Sequence, residues 1–208
     1  MRVFVFGGGG DVGEHVLRQL AERGHESVTM AETQNRAEEL RMLGASEVVV
    51  TKEKEFSGVL KGCEAIVYIA GANPIAGENK NILVDHQAVI RSVEAAQQEN
   101  IRRFIYVSPV HPDESDESKE TGGKEQPEEL VKRSGFIYTV IRPSNSVSKP
   151  GKGNIAISPA DSGIDDEIPY EDVAAVVVEA LESQEAFNQS FGIAAGETPI
   201  KEAFRSLQ

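Results

Sequence analysis

Gly7, Gly10 and Gly13 stand three residues apart behind the apolar run RVFVF. After them Val12, Val16, Leu17, Leu20 and Ala21 recur at helical spacing. A strand that turns through glycines into a helix is built to hold a diphosphate. The first glycine lets the chain turn tightly. The second lets backbone N–H groups reach phosphate oxygens with no Cβ between them. The third lets the helix lie close to the strand. The helix start adds partial positive charge and unsatisfied amides, those of Asp11 and Val12 among them. The Asp11 carboxylate would repel a diphosphate, so its side chain is expected to point outward.

Two other chemistries for the same stretch fail. A flexible linker does not fit between a core strand and an amphipathic helix. A P-loop needs Lys and then Ser or Thr after the last glycine, where this chain has Glu14 and His15. Elsewhere His15, His25, His86 and His111 lack metal-ligand spacing, so no metal site is expected. There is no G-x-S-x-G hydrolase elbow.

The elements that must position the glycine loop alternate. ESVTM, EVVV, EAIVYIAG, RRFIYVS and FIYTVIRP read as further strands, and NRAEELRMLGA, residues 79–99 and PEELVKRSG as helices. Nearly continuous apolar strands between helices predict an α/β protein: a Rossmann-like, doubly wound parallel sheet with helices on both faces. SNSVSKPGKGN reads as loop, IAIS as a short strand, YEDVAAVVVEALES as a helix and QSFGIA as the last strand. The closing TPIKEAFRSL places Thr198 as a helix N-cap with Pro199 at the first helical position. Residues 111–126 are acidic and nearly free of apolar side chains, the pattern of a surface loop. One domain over 1–208 is expected.

The chain has 208 residues and a formal net charge of −13, which argues against nucleic acid or an anionic membrane as partner. Cys63 is the only cysteine, and no stretch approaches a membrane span, so a cytoplasmic protein acting on a small molecule is expected. The long helices are compatible with a homodimer.

With these elements in place the chain resembles the atypical short-chain dehydrogenase/reductase superfamily, in particular small bacterial NAD(P)-binding, epimerase/dehydratase-like proteins. The stretches that carry the likeness are GGGGDVGEHVLRQLAERGHE, LKGCEAIVYIAGA, VEAAQQENIRRFIYVS, SGFIYTVIRPS, YEDVAAVVVEALE and ETPIKEAF. The resemblance implies an NAD or NADP cofactor whose pyrophosphate lies on Gly7, Gly10 and Gly13. It further implies that Ala70, Gly71 and Ala72 line the cofactor after the fourth strand, and that Ser108 ends the fifth strand at a catalytic or nicotinamide-side position. Pro143 and Ser144 would flank the nicotinamide, at the start of a small substrate-side segment at about 143–170 that the resemblance also implies.

The superfamily's catalytic Tyr-x-x-x-Lys is incomplete. Its lysine falls on Lys124, a catalytic and cofactor-side candidate, but Glu120 stands where the tyrosine would be. Ionised at neutral pH, a carboxylate there is a poor acid, and Glu120 equally reads as solvated charge. Glu32, 19 residues past Gly13, stands where NADP-binding relatives carry arginine. An acid there hydrogen-bonds the ribose hydroxyls and repels a 2′-phosphate, so NAD is weakly preferred. Arg36, one turn on, and Lys52, after Thr51, argue the other way. The expected activity is that of an NAD(P)-binding oxidoreductase or epimerase-like enzyme. The alternative is a dinucleotide-binding sensor or partner-binding protein without turnover.

Overall fold

The computed structural model describes residues 1–51, 58–70, 86–108, 126–159 and 167–207. Its strands follow the apolar runs. β1 (Arg2–Phe6) buries Val3, Phe4 and Val5, and every residue of β4 (Ala65–Ile69) and β5 (Arg103–Val107) is buried. Runs buried on both faces belong in the middle of a parallel sheet. With β2 (Glu26–Ala31), β3 (Glu47–Val50), β6 (Ile137–Pro143) and β10 (Gln189–Ala195) they form the parallel order β3-β2-β1-β4-β5-β6-β10. β8 (Asn154–Pro159) adds to β10 antiparallel, and β11 (Thr198–Pro199) adds to β8 antiparallel.

Helices cover both faces, as the doubly wound expectation requires. α1 (Asp11–Glu22), α2 (Gln34–Met42), α5 (Tyr170–Glu182) and α6 (Ile200–Phe204) share a core with Val3, Val5, Val67 and Ile105. α3 (His86–Gln98) and α4 (Pro127–Arg133) share the other with Phe4, Ile66, Phe104 and Val140. On α1, Val16, Leu17 and Leu20 are fully buried, a gain of about 2 kcal/mol each. The helix stops where Gly24 takes φ +75°; its N–H donates to the Ala21 carbonyl at 3.0 Å.

Three details depart from the sequence reading. Thr198 does not cap the last helix: it pairs with Ile155 in β11, and the N-cap is Pro199. A free sheet edge on β8 offers Thr198 backbone partners that a cap would not. For the same reason the strand at QSFGIA is not the last. The stretch read as loop contains β7 (Asn145–Val147), which pairs parallel with β9 (Glu167–Pro169) in a separate two-stranded sheet. All of the expected 111–126 loop but Gln126, which is the N-cap of α4, and the first turns of the helix expected at 79–99 lie outside the described residues.

Residues 151–153, ahead of β8, are tied down by the first turn of α5. Asp172, almost fully buried, accepts from the amides of Lys152 (2.9 Å) and Gly153 (2.8 Å), and Glu171 accepts from the Gly151 amide at 2.9 Å. Removing a buried acceptor leaves amides unpaired. Asp172→Ala is therefore expected to lower unfolding free energy by about 3 kcal/mol, read from urea denaturation, and Asp172→Asn by less, because one acceptor oxygen remains.

Candidate functional site

β1 lies between β2 and β4. The chain leaves β1 through α1 toward β2, while β4 enters on the opposite side. The strand order therefore reverses between β1 and β4, the place where sheets of this kind hold ligands, in a crevice at the carboxyl ends of the strands. The glycine loop fills the β1 side of it. Gly7 takes φ +80°, and the Gly10 N–H donates back to the Gly7 carbonyl at 3.0 Å, closing the turn. α1 begins with the Glu14 N–H on the Gly10 carbonyl at 2.9 Å, and no side chain caps its start. The first-turn amides of Asp11, Val12 and Gly13 are thus left for an anionic ligand.

The loop has no room for side chains. A Cβ on Gly13 would run into the Gly7 carbonyl oxygen and stand 2.7 Å from the Gly8 Cα. A Cβ on Gly8 would stand 2.5 Å from Thr29 Oγ1. Thr29 is buried on β2 and its hydroxyl donates to the Val5 carbonyl at 2.8 Å, so it cannot withdraw. The need for glycine at position 8 has no signal in the sequence, because its cause sits 21 residues away. This bare, amide-rich cradle fits a dinucleotide's diphosphate.

Asp11 is exposed, and its carboxylate acts on the Tyr170 hydroxyl at the start of α5. Burial, and then the Asp11 charge, raise the Tyr170 pKa. Glu32 is half-buried in the turn between β2 and α2. Thr51 follows β3, its N–H on the Ala31 carbonyl at 2.9 Å; Lys52 lies outside the described residues.

The other half of the crevice is a row of strand ends. Ala70 is buried and donates its N–H to the Val107 carbonyl at 2.9 Å. Ser108 is buried and donates its N–H to the Ile141 carbonyl at 2.8 Å. Pro143 ends β6, and the Ser144 N–H donates to the Ile193 carbonyl at 2.8 Å. The Ser144 hydroxyl is buried and has no partner among the described residues. Ala70, Ser108, Pro143 and Ser144 are therefore brought together at the carboxyl ends of β4, β5 and β6. Gly71, Ala72, Glu120 and Lys124 lie outside the described residues.

Sequence reasoning missed a polar group beside this row. Arg142 on β6 grips Glu128 of α4 in a two-pronged pair, Nε to Oε1 at 3.0 Å and Nη2 to Oε2. Burial, and then the Glu128 charge, raise the pKa of Tyr106 on β5, so its phenol stays protonated at neutral pH. Across β1, β4 and β5 the rings of Phe6, Tyr68 and Tyr106 form a ladder, with centroids 4.3 Å and 5.7 Å apart. Among the described residues no group of three His, Cys, Asp or Glu is placed to hold a metal ion, and no helix is long and apolar enough to cross a membrane.

Known proteins share this architecture. The Bacillus subtilis (strain 168) protein named uncharacterized sugar epimerase YhfK is 30% identical over all of both chains. A solved structure from Bacillus halodurans, described as an NAD-dependent epimerase/dehydratase, is 33% identical with a TM-score of 0.85 and covers 99% of each chain. A short-chain dehydrogenase/reductase from Veillonella parvula, solved in complex with NADP, shares the fold: its TM-score is 0.69 at 15% identity, over 95% of each chain. The profile of proteins described as NAD(P)H-binding matches residues 7–184. That match runs from the first glycine of the loop to just past α5, so the cradle and the row of strand ends facing it fall within one shared pattern: the chain belongs to the NAD(P)H-binding family.

Proposed function

We propose that this protein is an oxidoreductase or epimerase-like enzyme that uses NAD(H) in preference to NADP(H) and acts on a small molecule in the cytoplasm. The observation that carries this reading is the side-chain-free cradle at Gly7–Gly13, with an uncapped helix start, at the point where the strand order reverses. The names of the Bacillus relatives support the epimerase side of it. When bound, a nicotinamide ring would supply hydride chemistry over the ends of β4, β5 and β6.

The protein's own groups would hold and orient. Amides of Asp11, Val12 and Gly13 neutralise the diphosphate, and the Glu32 carboxylate accepts from ribose hydroxyls and repels a 2′-phosphate. Ser108 and Ser144 offer hydroxyls at the reacting end. The buried Ser144 hydroxyl, without a partner among the described residues, gains most from a polar group placed against it. With Glu120 in place of tyrosine, proton transfer falls to Ser108, water or the substrate itself, which suits acceptors such as quinones or flavins.

Purified protein is expected to bind NADH and to oxidise it with at least one acceptor among quinones, flavins and simple carbonyls. Tight binding with no oxidation across that panel would remove the oxidoreductase reading and leave an epimerase-like enzyme, which returns its hydride to the substrate, or a non-catalytic dinucleotide sensor. Glu32→Arg is expected to shift the NADPH-to-NADH affinity ratio by about tenfold toward NADPH in calorimetric titrations. An unchanged ratio would remove Glu32 from cofactor choice.

A further inference from the structure

Arg36 lies one helical turn beyond Glu32, where a guanidinium is readily taken for a 2′-phosphate receptor. Its bonds point elsewhere. Nη2 donates to the carbonyl of Gly9, inside the glycine loop, at 2.9 Å. The same nitrogen pairs with Glu14 of α1, and Nη1 pairs with Glu39 of α2 at 2.6 Å. The Arg36 N–H donates to Thr33 Oγ1, at the N-cap of α2, at 3.3 Å. One side chain thus closes a circuit through the glycine loop, the first turn of α1 and the first turns of α2.

We propose that Arg36 is a positioning residue that clamps the glycine loop in its dinucleotide-binding shape and serves NADH and NADPH alike. The inference rests on the dinucleotide reading of that loop. Four consecutive glycines carry more backbone freedom than any other run of residues, and freezing them on binding costs affinity. A guanidinium fixed by two carboxylates and bonded to the loop's own carbonyl removes that freedom before the ligand arrives. The same carboxylates compete with a 2′-phosphate, which must displace at least one of them to reach Arg36. The Gly9 carbonyl is the specific link: ion pairs with Glu14 and Glu39 alone would join α1 to α2 without touching the loop.

The test compares wild type, Arg36→Met and Arg36→Lys, titrated calorimetrically with NADH, NADPH and ADP-ribose. Hydrogen exchange and melting of the ligand-free proteins are measured alongside. Arg36→Met is expected to weaken all three ligands by a common factor of about ten. It should also speed amide exchange across residues 7–14 while the melting temperature and exchange elsewhere hold. Arg36→Lys, which reaches one acceptor at a time, should recover part of both effects. A loss confined to NADPH would make Arg36 a 2′-phosphate reader and overturn the clamp, as would unchanged exchange over 7–14. Failure of the wild type to bind any of the three ligands would remove the dinucleotide reading instead. The ligand-free exchange data would still decide whether Arg36 orders the loop.

Discussion

Gly13→Ala is expected to abolish measurable dinucleotide binding, a loss of about a hundredfold or more, equivalent to roughly 3 kcal/mol. One methyl group suffices because the space it needs belongs to backbone. Its carbon would overlap the Gly7 carbonyl oxygen and lie 2.8 Å from the Gly8 carbonyl carbon. Backbone atoms cannot rotate aside as a side chain can, so α1 must move off the strand and take its first-turn amides with it. Stability should fall as well, by about 1–3 kcal/mol, the usual cost of overpacking. Gly24→Ala is the matched control. Unlike the helical Gly13, Gly24 has positive φ, and a Cβ there meets nothing within 4 Å. That variant should lose about 1 kcal/mol of stability from the strained backbone and bind NADH as wild type does. Calorimetric titration beside thermal melting separates the two. If Gly13→Ala binds normally, the loop does not hold the diphosphate.

Arg103→Ala is expected to be the most damaging change remote from the site, lowering unfolding free energy by about 3–5 kcal/mol. Arg103 opens β5 at the end opposite the crevice and is almost fully buried. It donates to the Ile137 carbonyl at 2.7 Å, to Thr139 Oγ1 at 2.5 Å and to the Ala180 carbonyl near the end of α5 at 2.6 Å. Its guanidinium also lies 4.8 Å from the Phe187 ring centroid. One side chain therefore joins β5, β6, α5 and the turn before β10. Burial lowers its pKa to about 10. A base whose pKa falls on folding gives up protons more readily when folded, so at neutral pH its charge costs stability, and that cost is relieved only as pH rises through 10. The carbonyl bonds and the packing offset the cost. Arg103→Met keeps the packing and sheds the buried charge, so its loss should be smaller, about 1–2 kcal/mol, and NADH affinity should be unchanged in both variants. Urea denaturation read by circular dichroism checks the order: wild type, then Met, then Ala. Equal stability for all three would show that the bonds of Arg103 contribute nothing.

Most of the site's outline was legible along the chain because it is local. Gly7, Gly10 and Gly13 report their own turn, and apolar runs ending at Ala70, Ser108 and Pro143 report where buried strands stop. What escaped notice is non-local. Gly8 is required by Thr29, the Gly9 carbonyl is held by Arg36, and Arg142 beside the crevice is paired with Glu128. None of these pairs has a spacing that either helical or strand periodicity picks out, since each partner comes from a different element. The misread Thr198 shows the same limit from the other side. Its sequence context is that of a helix cap, and a vacant edge on β8 outbids it.

By itself the sequence determined the alternation of strand and helix, hence a parallel sheet covered on both faces, and the glycine turn that opens it. Those follow from hydrophobic periodicity and from the conformations open to glycine, which act within a few residues. Only the tertiary structure decided how the loop is braced, which hydroxyl at the strand ends lacks a partner among the described residues, and where the last strands join. Those depend on which distant atoms come within about 3 Å of one another, and hydrogen bonds at that range are fixed by packing rather than by neighbours in the chain.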